Sequence, residues 1–168
     1  MENFVKLNDS IYFYNNDNLY INLYLASKLN WVDQGFALTQ EADLLDSDKI
    51  TFVINEAPNK DIAIKFREPS WLAKDTSISI KLNGNEYDSK ALEGYITISR
   101  KWDEGDTIEL TIPMEVGVSR LPDNPDAIGF TYGPFVLSAG LGQQKMIVSG
   151  HLASEKPTIP ADVIIKDY

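Results

Sequence analysis

From Leu19 onward apolar and polar residues take turns along the chain. Leu19, Ile21, Leu23 and Leu25 alternate with Tyr20, Asn22 and Tyr24, and Phe36 and Leu38 with Ala37 and Thr39. The same beat returns at Ile50, Phe52 and Ile54, at Ile62, Ile64 and Phe66, and at Ile78, Ile80 and Leu82. It recurs at Ile96 and Ile98 and at Ile108, Leu110 and Ile112. Successive side chains of a strand point to opposite faces, so each run predicts a strand with one apolar face. One-sided alternation is the habit of antiparallel sheets, whereas buried parallel sheets give unbroken apolar runs. No helical stretch separates the runs, so βαβ units are not expected.

Only residues 2–14 read as a helix. Phe4, Leu7 and Ile11 share one face, with Val5 and Tyr12 beside them. Glu2 suits the start of a helix dipole, and Asn15-Asn16-Asp17-Asn18 supplies turn chemistry to stop it. The fold expected is therefore all-β, an antiparallel β-sandwich with one N-terminal helix. Its expected divisions are residues 1–16 as the helical lead, 17–142 as the sandwich, and 143–168 as an extension. Val163, Ile164 and Ile165 suggest a final strand in that extension.

The connections have their own signals. Asn83-Gly84 predicts a type I′ hairpin, because both residues tolerate positive φ. Asp103-Glu104-Gly105-Asp106 predicts a tight turn with glycine at the strained position. Glu56-Ala57-Pro58-Asn59 and Glu68-Pro69-Ser70 end strands. In the stretch Pro122–Leu137 an Asx- and Pro-rich turn leads into an apolar strand cut at Gly133-Pro134. Proline has no N–H for a central ladder, so a kink is expected there, letting one segment turn a corner between two sheets.

Composition narrows the functions. The chain has 168 residues, 43% of them apolar, and a net charge of −10. That is a globular composition whose charge disfavours nucleic acid and anionic membrane surfaces as partners. Cysteine is absent, so disulfides and cysteine-held zinc are excluded within the chain. Met1–Ser10 is too polar for a signal peptide.

Candidate chemistry is sparse. His151 is the sole histidine and has no cysteine or glutamate partner nearby in sequence. Glu41, Asp43, Asp46 and Asp48 form one acidic run, and Asp103, Glu104 and Asp106 another. A glycosidase needs two carboxyls about 5–10 Å apart across one sugar, and loop clustering does not supply that. Asp123-Asn124-Pro125-Asp126 has calcium-like oxygen content without the EF-hand spacing. Trp31, Trp71 and Trp102 are either sugar platforms or core or inter-domain packing, with Trp71 and Trp102 placed at strand ends.

Several pieces together resemble one family. Met1-Glu2-Asn3-Phe4 runs through Ile11-Tyr12-Phe13 to Asp17-Asn18-Leu19-Tyr20-Ile21-Asn22-Leu23-Tyr24. Leu29-Asn30-Trp31, Arg67-Glu68-Pro69-Ser70-Trp71, Leu82-Asn83-Gly84 and Trp102-Asp103-Glu104-Gly105-Asp106 follow in order. Pro122-Asp123-Asn124-Pro125 and Tyr132-Gly133-Pro134 close the series. In order and spacing the series resembles the glycoside hydrolase family 127-type proteins, the β-L-arabinofuranosidase group, with which family 146 is allied. The resemblance spans nearly the whole chain.

What it implies is a fragment C-terminal to a catalytic (α/α) six-fold barrel. In that family a zinc-held cysteine of the barrel is the nucleophile, just upstream of the segment matching Met1-Glu2-Asn3. No catalytic residue carries over onto this sequence, and no cofactor is expected in it. Zinc would belong to the missing barrel. Glu2 and Asn3 would lie closest to the site, as a substrate-side pair. The function implied is an accessory β-sandwich supporting the barrel; the alternative is an independent carbohydrate-binding module. Expected partners are the absent barrel, carbohydrate, and a second copy of the chain through residues 1–25.

Overall fold

The computed structural model describes residues 9–124 and 127–138. Thirteen strands among them form three sheets. The first sheet takes β1 (Tyr12–Asn15), β2 (Asn18–Ile21), β6 (Asp61–Arg67) and β9 (Tyr95–Lys101), in that order across the sheet. The second takes β3 (Ser27–Trp31), β4 (Phe36–Ala42), β5 (Lys49–Glu56), β10 (Thr107–Thr111), β7 (Ser79–Leu82) and β8 (Asn85–Glu86). The third is β11 (Val116–Arg120), β12 (Ile128–Tyr132) and β13 (Phe135–Leu137).

The first two sheets face each other as a sandwich. Leu19, Ile21, Ile62, Ile64, Phe66, Ile96 and Ile98 of one layer meet Phe36, Leu38, Ile50, Phe52, Ile54, Ile80, Ile108 and Leu110 of the other in one core. The alternation is why: every second residue of these strands is sealed, and its neighbours look outward. Phe52 and Phe66 cross the gap between the layers, with ring centroids 5.1 Å apart. The chain passes from one layer to the other five times, between β2 and β3, β5 and β6, β6 and β7, β8 and β9, and β9 and β10.

Most turns form as the sequence predicts. Asn83 and Gly84 sit at φ 50° and 78°, as a type I′ turn requires. Gly105 sits at φ 90° in the turn from β9 to β10. Trp102, just before that turn, is buried and donates its indole N–H to the Ile62 carbonyl at 2.8 Å. A second turn of positive φ, at Glu93 and Gly94, leads into β9.

Four expectations need correction. The helix expected over residues 2–14 does not run to its end. Residues 1–8 lie outside the described residues, Asp9 is helical, and Tyr12–Asn15 is strand β1. Asn15 pairs Asn18 across a two-residue turn with Asn16 at φ 52°, so the Asx run closes a hairpin instead of stopping a helix. Tyr12–Asn15 thus belongs to a sheet of the sandwich.

The first sheet is also mixed, since β2 and β6 run parallel. Parallel neighbours need a long crossover, and the chain makes it by visiting the opposite layer as β3, β4 and β5.

The strand read through Leu25 stops at Ile21. The phase then slips: Tyr24 is buried and donates its hydroxyl to the Arg67 carbonyl at 2.6 Å, while Leu25 is exposed.

Lastly, Gly133-Pro134 is no corner between two sheets. It is the two-residue turn that pairs β12 with β13, with Gly133 at φ 53°. A Cβ on Gly133 would also collide with the Met114 side chain. The proline therefore sits where no ladder N–H is needed.

Candidate functional site

The third sheet carries the most conspicuous surface feature among the described residues. Its register sets Val116 opposite Tyr132, Val118 opposite Phe130 and Phe130 opposite Leu137. Directly paired residues share a face, so Val116, Val118, Phe130, Tyr132, Phe135 and Leu137 form one apolar face. Gly117, Ser119, Gly129, Thr131 and Val136 lie on the other. Gly117 keeps the strands close, since a Cβ there would stand 2.7 Å from the Thr131 hydroxyl.

One end of the apolar face is anchored. Phe135 packs against the sandwich core. The rest is open: Val116 is 62% exposed, and Val118, Phe130 and Leu137 are exposed too. Isolated exposed apolar residues are ordinary, but a contiguous set on one sheet face marks a contact surface.

Where this sheet meets the sandwich lies a groove of about 450 Å³. Trp71, Tyr24, Leu44, Pro134 and Phe135 wall it, and Asn22 and Asp43 are its polar members. Gln40 secures one wall. It occupies a core-facing position of β4 and donates its amide to the carbonyls of Leu23 and Leu25. Its Oε1 is buried with no hydrogen-bond partner. Sequence alternation gave no sign of this, because it marks apolar positions and Gln40 takes an apolar slot to hold irregular backbone. The opposite wall is tied by Ala73 N–H to the Pro113 carbonyl at 3.0 Å and by Lys74 N–H to the Glu115 carboxylate at 2.8 Å.

The other candidates separate cleanly. Trp31 and Trp102 are buried, so only Trp71 is partly at the surface. Asp43 is spent on its own turn, accepting from Leu45 N–H at 3.3 Å, and its carbonyl accepts from Ser47 N–H at 2.9 Å. Asp106 is the one buried carboxylate among the described residues. Burial alone would raise its pKa. The Asp103 N–H at 3.0 Å, the Asn83 amide at 2.7 Å and the Arg100 guanidinium at 3.6 Å outweigh that and hold it below the usual range. These partners tie the β9–β10 turn to the β7–β8 hairpin turn, which is structural work.

Glu2, Asn3 and His151 lie outside the described residues, as do Pro125 and Asp126. The chain has no cysteine, and among the described residues no three acidic or histidine side chains stand together.

Solved structures with this arrangement are known. A glycoside hydrolase matches at 28% identity with a TM-score of 0.65, over 75% of this chain and 22% of its own. A GH127 β-arabinofuranosidase matches at 26% and 0.62, over 75% of this chain and 23% of its own. A GH127 β-L-arabinofuranosidase from Geobacillus stearothermophilus T6 shares the fold at 22% and 0.64, over 77% and 21%. The chain thus spans less than a quarter of the length of these structures. No curated protein matches.

The likeness defines the chain as a β-sandwich of glycoside-hydrolase type. Residues 18–114, from β2 to just past β10, match the family described as "Beta-L-arabinofuranosidase, GH127 middle domain". The chain belongs to that family. The third sheet begins immediately after the matched span.

Proposed function

We propose that this chain is a non-catalytic brace: the middle β-sandwich of a GH127-type glycoside hydrolase, whose catalytic (α/α) barrel lies on other sequence. The family match carries the reading. The described residues support it by what they assemble: a closed sandwich whose one buried carboxylate is locked in turns, beside an apolar face and groove suited to docking. Glu2 and Asn3 would then border the barrel's substrate, and zinc would be held there by the barrel's cysteines. A second copy, joined through residues 1–25, is a further proposed partner. Phe13, Tyr14 and Leu25 are exposed in that stretch, while Ile11 is buried in the fold.

Activity against a chromogenic β-L-arabinofuranoside, with zinc supplied, tests the reading. No turnover above background is expected from the 168-residue chain, and DNA upstream of Met1 is expected to encode the barrel with its cysteine motif. Turnover by this chain alone, abolished by changing Glu41 and Asp43, would replace the brace with a self-sufficient hydrolase.

A further inference from the structure

The exposed aromatic rings of the described residues have unlike surroundings. Phe130 lies among aliphatic residues on the third sheet, and Phe13 on the outer face of the first. Tyr14 is different: it is 65% exposed and stands in a cleft of about 330 Å³. The cleft runs between the β1–β2 hairpin and the 3₁₀ turn Val32–Gln34 that follows Trp31.

Its construction follows from register. Tyr14 pairs with Leu19, a core residue, so its ring is on the sandwich side of the edge strand β1. There it meets the buried Trp31 indole, centroid to centroid at 5.1 Å and tilted by 39°. The indole backs the phenol and limits its rotamers, so little further ordering is needed when something covers its free face. Leu29 and Val32 add apolar wall. Asn30 and Asp33 supply polar atoms at the rim, and neither side chain has a hydrogen-bond partner among the described residues. Lys60 spans the two walls. Its ammonium pairs with Asp17 at the hairpin tip at 2.6 Å and also bonds Gln34 of the 3₁₀ turn.

An aromatic face carries negative quadrupolar potential, and the C–H face of a sugar ring presents weakly positive hydrogens to it. A carboxylate and an amide beside the ring can bond the sugar's hydroxyls. Asp33 at the rim disfavours an anionic ligand, as does the net charge of −10. The volume is at the small end of ligand pockets, a size for one or two sugar rings.

We propose that this cleft binds a neutral saccharide, stacked on Tyr14 and hydrogen-bonded by Asn30 and Asp33. That the saccharide carries arabinofuranosyl units rests on the GH127 reading above. Lys60 is a positioning residue that ties the two walls together through Asp17 and Gln34.

Titration of the full chain with an arabinofuranosyl trisaccharide, up to about 10 mM, tests this by amide shifts in NMR. Shifts are expected at Tyr14 and Asn30–Gln34. Tyr14→Ala should weaken binding by ~10-fold or more and Lys60→Ala by a few-fold. Phe13→Ala, also exposed but on the opposite face of β1, should leave affinity unchanged, and thermal melts confirm that each variant is folded. No shift at the highest concentration, shifts that survive Tyr14→Ala in a folded protein, or shifts centred on the Trp71 groove would overturn the site. Xylotriose binding in the cleft where the arabinosyl sugar does not bind would keep the site and overturn the reading from which the arabinosyl ligand was taken.

Discussion

Ile50, Phe52 and Ile54 on β5 and Val116 and Val118 on β11 follow the same alternation, and the outcome is opposite. The first three are sealed between two sheets, and the second two lie open to solvent. The difference is not in the strands. Sheet three is sorted as a core-forming sheet is, except for Arg120 at the end of its apolar face and Val136 on the opposite one. It lacks a second layer among the described residues. Alternation states which face is apolar; whether that face becomes core depends on another sheet that the strand itself does not encode.

The largest test of this contrast is a matched pair of truncations. Phe52→Ala removes a ring buried against Phe66 and should destabilise the chain by about 3–5 kcal/mol in urea unfolding. Phe130→Ala should cost no more than about 0.5 kcal/mol, as for a surface position. Equal costs would mean that the third sheet is covered after all, and the contrast would fall.

A medium effect belongs to the sandwich alone. Asp106→Ala leaves the Asn83 amide and the Asp103 N–H without their acceptor and should cost about 1–3 kcal/mol. The folded pKa of Asp106 lies below its unfolded value, so its contribution is fully present above about pH 4 and is lost as pH falls through the folded pKa. The stability gap between wild type and Asp106→Asn should therefore narrow on acidification below that point. A gap that is constant with pH would show that the carboxylate's charge contributes nothing to the turn. Tyr24→Phe is smaller, about 1 kcal/mol, through loss of the bond to the Arg67 carbonyl.

The two regions were not equally legible from sequence. The sandwich was read correctly from β4 to β10, because each run such as Ile62, Ile64 and Phe66 is regular and bounded by a turn with its own chemistry. Of the pieces on which the GH127 resemblance rested, those from Asn18 to Asp106 lie in the matched span, while Met1–Phe13, Pro122–Pro125 and Tyr132–Pro134 lie outside it. Legibility failed where one signal has two physical readings. Tyr12, Phe13 and Tyr14 fit a helix face or a strand, and Asn15–Asn18 ends either; pairing with Leu19–Ile21 decided it. Gly133-Pro134 fits a kink or a hairpin turn, and β13 finding β12 decided that. Gln40, the Trp71 groove and the Tyr14 cleft depend on backbone brought together from distant strands, which no local pattern records.

The smallest effect on stability is expected to have the clearest effect on association. Phe130→Lys puts a charge in the middle of the third sheet's open face. The residue is already partly hydrated, so unfolding free energy should shift by no more than about 0.5 kcal/mol. An ammonium there would have to be stripped of water before any partner could close over Val118 and Leu137. If copies of the isolated chain meet through this face, sedimentation at rising concentration should show association in the wild type that Phe130→Lys removes. If they meet instead through residues 1–25, Phe130→Lys will leave association intact and deletion of residues 1–16 will abolish it. Either result assigns the contact, because the two surfaces lie on different sheets and a charge on one leaves the other unchanged.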